Sequence, residues 1–339
     1  MKKLGVIILN WNGRKLLEEL LAGVSRDTVC DDCDLIVADN GSTDGSVDWV
    51  REHCPEVKVV SFDANYGFAE GYNRAIAECD YPYVTLLNSD VETTPGWWRP
   101  ILEHMESHGD TGAVMPKIRS YYRRDSFEYA GAAGGALDSL AYPYCRGRLF
   151  DSVERDEGQY DGEPADVAWA SGACLTVRRD LYMRLGGLDA SFFAHMEEID
   201  LCCRIWAAGF RCKVVTDSCV YHMGGASLSQ GNPRKTYLNF RNNLLLIHKN
   251  MTRRGGQRML LKRRLADTLA FAMFVAKLDF ANAKAVLKAH NDFRRMRRDY
   301  TRFPDNDILP LLPGAGRNAI TARYLLRKKS LPITPKISG

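Results

Sequence analysis

The sequence predicts an α/β fold built on a doubly wound, mostly parallel sheet, followed by a helical extension. Within residues 1–100, short apolar runs of strand length alternate with helix-like stretches. Each of these runs ends in a polar loop that carries Asp, Asn or Gly. Strands that alternate with helices form parallel sheets, and ligands bind at the carboxyl ends of such strands. The loops are therefore expected to share one crevice.

The first unit begins at the amino terminus. The apolar run at residues 4–9 leads into a polar loop at 10–13, which holds Asn10 and Asn12. The leucines after this loop recur at helical spacing and form one stripe: Leu16, Leu17, Leu20 and Leu21. We expect a strand, a loop and an amphipathic helix in that order.

The second unit repeats this order. The run at residues 34–38 ends in the loop 39–45, which begins with an aspartate. Ser42 or Thr43 is placed to cap a helix that begins near Gly45.

The third unit carries glycines at its strand-to-helix turn. The run at residues 57–62 leads into the segment 65–73 and a helix through Cys79. Glycines at such a turn let the backbone approach a ligand, and a helix amino terminus favours phosphate. Gly67 and Gly71 lie four residues apart with no third glycine, so the dinucleotide fingerprint of a hydride-transferring dehydrogenase is absent. A tight turn without a ligand is the alternative.

The fourth unit ends in a carboxylate. The run at residues 83–87 is followed by Asn88, Ser89 and Asp90, which places Asp90 at a strand's carboxyl end. Asp39 and Asp90 would then face the same crevice, where an acid can hold a cation that bridges a diphosphate. Taken alone, Asp90 fits an ordinary strand-to-turn aspartate equally well.

Seven segments together resemble the glycosyltransferase family 2 enzymes, most closely the bacterial rhamnosyltransferase-like branch that builds surface polysaccharides. They occur in the family's order and cover most of residues 1–250: ILNWNG at 8–13, VADNGSTDGS at 37–46, NYGFAEGYN at 65–73, LLNSDV at 86–91, ASGACLTVRRD at 170–180, GGLDASFFAHMEEIDLCCR at 186–204 and YHMGGAS at 221–227. The resemblance implies a GT-A catalytic domain at residues 1–233 and a basic, mostly helical extension at 234–339.

The resemblance also implies a nucleotide-sugar donor. Asp39 matches the residue that accepts a hydrogen bond from the pyrimidine ring, a contact that cannot separate uracil from thymine. The segment 171–173 looks like the family's loop beneath the donor sugar, although small residues there also suit a close crossing of chain segments. The implied donor-binding residues are Asn10, Asn12, Asp39, Asn40, Asn65, Gly67, Asn73, Asn88, Ser89, Ser171, Gly172 and Ala173.

A divalent cation, Mg²⁺ or Mn²⁺, follows from the same resemblance. The leaving diphosphate gains negative charge, which a cation stabilises. Asp90 and His222 match the family's metal ligands, whereas Asn88 departs from the commoner double-acid motif. Apart from this match, a lone histidine is an ordinary packed residue.

The acceptor hydroxyl needs a base. The family's glutamate–aspartate pair falls on Glu197 and Glu198, so Glu198 stands where the usual base is an aspartate. Glu197 is expected to help to place donor or acceptor, and Asp200 to act as a structural cap or ion-pair partner. A single displacement by the activated hydroxyl inverts the anomeric configuration.

Charge is divided unevenly along the chain. Residues 234–339 hold 24 Lys or Arg against 6 Asp and no Glu, while residues 1–233 hold 22 against 36 acids. Basic runs flank the apolar stretch 265–287, a pattern typical of an interfacial helix on anionic lipid. The alternative is a helical hairpin packed on the catalytic domain. No nucleic-acid partner is expected, because no binding motif accompanies the charge.

The composition suits a cytoplasmic enzyme that is either soluble or peripheral on the inner face of the cytoplasmic membrane. The amino-terminal apolar stretch is too short for a signal peptide, and no run reaches the roughly 18 residues of a membrane span. Cys30 and Cys33 form a CxxC pair, but no second pair at zinc-ligand spacing follows, so reduced structural thiols are expected. The aromatic-rich stretch 118–168 is expected to form irregular loops over the site, where its aromatic side chains either stack on sugar rings or only close a core.

The function that follows is an inverting, metal-dependent transfer of a sugar, with rhamnose from dTDP-rhamnose as the best match. The acceptor would be lipid-linked or a polysaccharide, in cell-surface glycan synthesis. One alternative is a UDP-sugar donor such as UDP-galactose or UDP-N-acetylglucosamine. An alternative of another class is an inactive scaffold subunit of a polysaccharide assembly complex.

Overall fold

A computed structural model describes residues 2–149, 152–224, 231–301 and 303–314. In chain order, its strands are β1 (Leu4–Asn10), β2 (Cys33–Asp39), β3 (Lys58–Ser61), β4 (Tyr83–Leu87), β5 (Val91–Thr93), β6 (Thr111–Ser120), β7 (Gly135–Leu137), β8 (Pro143–Cys145), β9 (Arg148–Leu149), β10 (Ser152–Val153), β11 (Ala165–Asp166), β12 (Cys174–Arg178) and β13 (Arg211–His222). Its α-helices are α1 (Arg14–Thr28), α2 (Ser46–His53), α3 (Gly67–Ala77), α4 (Trp98–Ser107), α5 (Arg179–Arg184), α6 (Glu197–Ala207), α7 (Pro233–Asn250), α8 (Arg253–Ala276) and α9 (Phe280–Met296).

A central sheet runs in the order β11-β13-β6-β12-β4-β1-β2-β3, with β5 paired to β13. Strands β3, β2, β1 and β4 are parallel, as the alternating pattern predicts. Strand β12 lies antiparallel between β4 and β6, so the sheet is mixed beyond β4. The strands β1 and β2 are almost entirely buried, because neighbouring elements cover both faces of the sheet. The predicted α/β fold class is confirmed.

The predicted cap of α2 is wrong. Neither Ser42 nor Thr43 caps the helix; Asp44 Oδ1 instead accepts hydrogen bonds from Ser46 N at 3.1 Å and Ser46 Oγ at 2.6 Å. Gly45 takes a left-handed φ of 76°, which turns the chain so that Asp44 reaches the helix start. Ser42 is used elsewhere, in the loop network described below.

The stretch 118–168 is more regular than predicted. Strand β6 extends to Ser120, and β7 to β10 form a separate antiparallel sheet in the order β10-β9-β8-β7. Trp169 is buried and donates its indole N–H to Ala136 O at 3.0 Å, so this aromatic side chain closes a core. The prediction of irregular loops is wrong for these short strands, whereas the segments 121–134, 138–142 and 154–164 between them are irregular as predicted.

The apolar stretch 265–287 forms a hairpin. Helix α8 ends at Ala276, Leu278 takes a φ of 58°, and α9 begins at Phe280. Within the described residues, no helix is both long enough and apolar enough to cross a membrane. The division of the chain at residue 233 stays a prediction, although α7 begins at that residue.

A buried ion pair within α8 contacts Tyr142, in the turn between β7 and β8. Arg263 is 1% exposed and donates through Nη2 to Asp267 Oδ1 at 3.0 Å. Its guanidinium carbon lies 3.6 Å from the centre of the Tyr142 ring, and the Tyr142 hydroxyl donates to the same Asp267 oxygen at 3.1 Å. Both charges are therefore compensated away from water.

Removing the guanidinium should destabilise the fold strongly. Arg263→Met leaves Asp267 in the interior without its main cation, and we expect the free energy of unfolding to fall by about 3–5 kcal/mol. The matched control is Arg264→Met on the exposed side of the same helix, which should change it by less than about 0.5 kcal/mol. Urea denaturation measures both. Equal, small changes would contradict the buried pair's role.

Candidate active site

Polar side chains tie together the loops at the carboxyl ends of β1 and β2. Asn10 is buried, and its Nδ2 lies 2.9 Å from Asp39 Oδ1, 3.1 Å from Ser42 Oγ and 2.9 Å from Ser46 Oγ. Asp39 Oδ2 accepts from Ser42 N at 2.9 Å. These bonds fix the buried Asp39 carboxylate in one orientation at the sheet edge.

Asn40 extends this network to the third loop. Its Nδ2 donates to Asn65 Oδ1 and to Gly67 O, both at 3.0 Å, and its Oδ1 accepts from Tyr66 N at 3.0 Å. Gly67 has a φ of 80° and open space where a side chain would lie. The structure thus brings together the predicted donor-binding residues of three loops.

The side chains of two predicted donor-binding residues form hydrogen bonds with other residues of the chain. Asn12 Oδ1 accepts from Thr43 N at 2.8 Å on the exposed side of the loops. Asn73 donates to Leu188 O at 2.8 Å and accepts from Tyr182 Oη at 2.6 Å, so both ends of its amide join α3 to the 182–188 segment. A donor contact of either residue stays a prediction.

The segment 171–173 joins two parts of the site. Ala173 O accepts from Asn88 N at 3.0 Å, which holds the loop of Asn88, Ser89 and Asp90 beside it. The backbone of Gly172 packs on Glu198, since a Cβ there would lie 3.6 Å from Glu198 Cγ. Ser171 donates its hydroxyl to Ala130 O at 2.6 Å. The Asp90 loop and Glu198 therefore flank the same short segment.

Strand register brings His222 to Asp90. His222 pairs with Val91 across β13 and β5, and its Nε2 lies 3.1 Å from Asp90 Oδ1. On the other side of the ring, Nδ1 lies 3.2 Å from Glu128 Oε2, an ion-pair distance without the alignment of a hydrogen bond. All three side chains are buried. Burial alone would lower the pKa of His222, but the carboxylates of Asp90 and Glu128 outweigh it and raise the pKa to about 10.

Sequence reasoning missed Glu128. This residue follows a turn after β6, where Phe127 pairs with Arg119 and places the next side chain over His222. A carboxylate on the second imidazole nitrogen fixes the ring and leaves Nε2 directed at Asp90. The one sequence feature that could have pointed to Glu128 was its being an acidic residue within the stretch 118–168, to which no role had been assigned.

The fit of these residues to a divalent cation is partial. No three His, Cys, Asp or Glu side chains converge on one point anywhere in the described ranges. Glu128 lies on the far side of the His222 ring, so only Asp90 and His222 Nε2 share a position. Such a pair suits a cation whose other ligands are diphosphate oxygens and water. Because the raised pKa keeps His222 protonated at neutral pH, a cation must displace the proton from Nε2 to bind there.

The two glutamates predicted to be catalytic open helix α6. Glu197 is buried, and the half-buried Glu198 has an enclosed Oε2; neither Oε2 has a hydrogen-bond partner within the described part of the chain. Burial and then the neighbouring carboxylate raise the pKa of Glu197 well above its usual range. Burial also raises the pKa of Glu198 to about 7, against opposing backbone hydrogen bonds. A carboxylate of this kind is a proton acceptor near neutral pH.

Other acids and bases nearby do not share this property. Asp200 is fully buried and accepts hydrogen bonds from Arg204, Lys249 and Asn250 at 2.9 Å each, so the expected ion-pair role is observed. Burial, and then Lys235, lower the pKa of His195 to about 4. Of these groups, Glu198 is the one suited to exchange a proton at neutral pH.

These features can be compared with those of other proteins. The model of the family described as "Glycosyl transferase family 2" matches residues 5–185, more than half of the chain. The chain therefore belongs to glycosyl transferase family 2, as its motifs predict. It is an enzyme of the glycosyltransferase class that acts on nucleotide sugars.

Among its relatives is the N-acetylglucosaminyl-diphospho-decaprenol L-rhamnosyltransferase of Mycobacterium tuberculosis. The two are 28% identical over 236 residues, which is 65% of this chain and 75% of the relative. This similarity supports the rhamnosyltransferase-like branch within the family.

Solved structures show the same fold. S. aureus TarS 1-349 matches with a TM-score of 0.57 at 16% identity, over 92% of this chain and 83% of that one. The mannosyltransferase PcManGT from Pyrobaculum calidifontis, solved with GDP-Man and Mn²⁺, matches with a TM-score of 0.52 at 17% identity, over 87% and 84%. The fold is of the GT-A type.

Proposed function

We propose that the protein transfers rhamnose from dTDP-rhamnose to a lipid-linked or polysaccharide acceptor in cell-surface glycan synthesis, with inversion at the anomeric carbon. The observation that carries the proposal is Glu198, whose pKa burial raises to about 7 and which lies against the segment that also holds the Asp90 loop. The relative from M. tuberculosis, named as a rhamnosyltransferase that acts on a diphospho-decaprenol, supports the sugar and the acceptor class.

Each end of the crevice has its own role in this mechanism. Asp39, oriented by Asn10 and Ser42, accepts a hydrogen bond from the pyrimidine ring of the donor. Asp90 and His222 would hold Mg²⁺ or Mn²⁺, which when bound neutralises the charge that develops on the leaving diphosphate. Glu128 holds the His222 ring in place for this contact.

The acceptor end depends on the glutamate pair. Glu198 takes the proton of the acceptor hydroxyl as the oxygen attacks the anomeric carbon from the side opposite to the diphosphate. One carbon–oxygen bond forms and one breaks, so the configuration inverts without a covalent sugar intermediate. Burial and the neighbouring carboxylate raise the pKa of Glu197, and in its protonated form Glu197 can donate a hydrogen bond to a sugar hydroxyl.

Two alternatives to this function, a UDP-sugar donor and an inactive scaffold subunit, make different demands on the site. A UDP-sugar donor uses the same Asp39 contact, and S. aureus TarS 1-349 is solved with UDP-GlcNAc. An inactive scaffold subunit would have no need for a buried carboxylate poised to take a proton, so the environment of Glu198 favours the enzyme.

Donor binding tests the nucleotide and the cation together. We expect calorimetric titration to show tighter binding of dTDP-rhamnose than of UDP-N-acetylglucosamine, and tighter binding with Mn²⁺ than without it. Asp90→Asn should abolish the gain from Mn²⁺, because the main protein charge on the cation is lost. The exposed Asp48→Asn serves as the control. A full Mn²⁺ effect in Asp90→Asn would refute the metal assignment.

The base assignment predicts a pH dependence. A base with a pKa near 7 is lost by protonation as the pH falls, so turnover should decline about tenfold per unit below roughly pH 7. His195, with a pKa lowered to about 4, and His222, with a pKa raised to about 10, do not titrate there.

Glu198→Gln should lower turnover by about 10² or more, while the affinity for the donor stays the same, because the amide cannot take a proton. The exposed Glu52→Gln is the control, and turnover that stays constant down to pH 5 would contradict the assignment.

We further propose that the α8–α9 hairpin attaches the enzyme to an anionic membrane surface at the inner face of the cytoplasmic membrane. An exposed stripe on α8 repeats every four residues: Leu261, Leu265, Leu269 and Met273, exposed by 61%, 71%, 50% and 42%. Successive helix residues lie 100° apart, which places Lys262 and Arg264 on opposite flanks of this stripe. An apolar stripe with cationic edges matches the interface of an anionic leaflet.

Vesicle flotation tests the α8 stripe. Each cation near an anionic leaflet contributes on the order of 1 kcal/mol, so the protein should float with phosphatidylglycerol-rich vesicles at low salt and less at high salt. Leu261, Leu265 and Leu269 changed together to Ser should reduce flotation, as should Lys262→Glu with Arg264→Glu. Arg263 is left intact because it is buried.

Lys15→Glu with Arg51→Glu provides a control of equal charge on exposed residues of the catalytic part. If the protein does not float at low salt, the membrane proposal is wrong and the hairpin is a packed helical surface. If the wild-type protein is a dimer that dissociates in the leucine variant, the stripe binds a second copy of the chain instead of a membrane.

A further inference from the structure

The loop that precedes the glutamate pair has a strained backbone. Phe193 has φ 65° and ψ −57°, and Ala194 N donates to Phe192 O at 2.8 Å, which together form a γ-turn with positive φ. His195 and Met196 follow with φ values of 67° and 72°. Left-handed backbone is unfavourable for non-glycine residues, so surrounding contacts must hold this loop in place.

Those contacts come from α7, distant in the sequence. Asn242 is fully buried, and its Nδ2 lies 3.0 Å from Phe192 O, 2.8 Å from Ala194 O and 2.7 Å from His195 O. An amide nitrogen has two hydrogens, so the three oxygens share them. The loop directs these carbonyl oxygens towards one point, and the Asn242 donor offsets their mutual repulsion.

Arg241 supports Asn242 from the same helix. Its Nε donates to Asn242 Oδ1 at 2.8 Å, which fixes the orientation of the amide. Its Nη2 donates to Phe192 O at 2.7 Å and to Ser191 O at 3.2 Å. Together the two side chains engage the carbonyl of every residue from 191 to 195 except that of Phe193.

We propose that Asn242, with the support of Arg241, is a positioning residue that holds the strained loop so that α6 starts at Glu197 and places Glu198 against Gly172. The proposal rests on the base role of Glu198 given above. Met196 O accepts the Asp200 N–H at 2.9 Å in the first turn of α6, so the loop and the helix start move together. A displacement of about 1 Å at a reacting group lowers rates by up to about 10².

Asn243 offers a matched control on the same helix. It is 1% exposed, and its Nδ2 donates to Ala141 O at 2.6 Å, in the turn between β7 and β8. Asn243 is thus the same residue type as Asn242, lies on the same helix and is equally buried, but the carbonyl that it binds belongs to a different loop. A merely structural role of Asn242 predicts similar behaviour of the two variants.

The experiment compares Asn242→Ser with Asn243→Ser in the full chain. For Asn242→Ser we expect kcat to fall about 10- to 100-fold with donor Kd within about twofold, because the reacting groups lose alignment while the nucleotide loops stay intact. Hydrogen–deuterium exchange should accelerate at residues 193–198. The acid limb of the pH profile should move to lower pH, because water that enters beside Glu198 lowers its pKa. Asn243→Ser should leave kcat and the acid limb of the pH profile unchanged, and hydrogen–deuterium exchange should accelerate around residue 141 instead.

Equal kcat values in the two variants, per folded molecule, would overturn the proposal. If Asn242→Ser does not fold, Arg241→Lys carries the same test, because it keeps the charge and removes the fork that reaches the loop carbonyls; wild-type kcat and exchange in that variant also overturn it. A wrong base assignment would give a different result. Glu198→Gln would then have the turnover of the wild-type enzyme, while hydrogen–deuterium exchange at residues 193–198 in Asn242→Ser would still show whether Asn242 holds the loop.

Discussion

The structure depends on one constraint: carboxylates buried at the carboxyl edge of the sheet need donors or cations beside them. Asp39 is held by Asn10 and Ser42, and Asp90 faces the imidazole of His222. Asp200 is surrounded by Arg204, Lys249 and Asn250. Glu197 and Glu198 depart from this rule, since each keeps an enclosed oxygen without a partner in the described ranges. Their raised pKa values follow from that lack of compensation, which makes the pair suited to proton transfer.

The compensation comes largely from outside the segment that the family model covers. Helix α7 supplies Lys249 and Asn250 to Asp200, and Asn242 to the strained loop. The basic carboxyl-terminal part of the chain therefore has two roles in this structure. Its α7 side chains hold the loop before the proposed catalytic glutamates, while the exposed α8 stripe with its flanking cations is the surface proposed to meet lipid.

The strands and the residues at their ends could be predicted from the sequence, because apolar runs with turn residues behind them are local signals. Asp39, Asp90 and the glutamate pair were found in this way or through the family motifs. Glu128 and Asn242 could not be, since a turn after β6 and the packing of α7 bring them in from distant positions. The break in the 265–287 stretch had one local sign, Asp279, whose Oδ1 accepts from Asn282 N at 3.1 Å as the cap of α9. The basic run at 327–329 and residues 225–227 of the last motif lie outside the described residues.

The central claim is that the edge between Asp39, Asp90 and Glu198 is the nucleotide-sugar site. A crystal structure of the protein with dTDP and Mn²⁺ tests it most directly. The account predicts the thymine ring against Asp39, the diphosphate beside the segment 171–173, and Mn²⁺ within bonding distance of Asp90 and His222 Nε2. A nucleotide bound at another edge of the sheet, or Mn²⁺ bound to the diphosphate without Asp90, would contradict it.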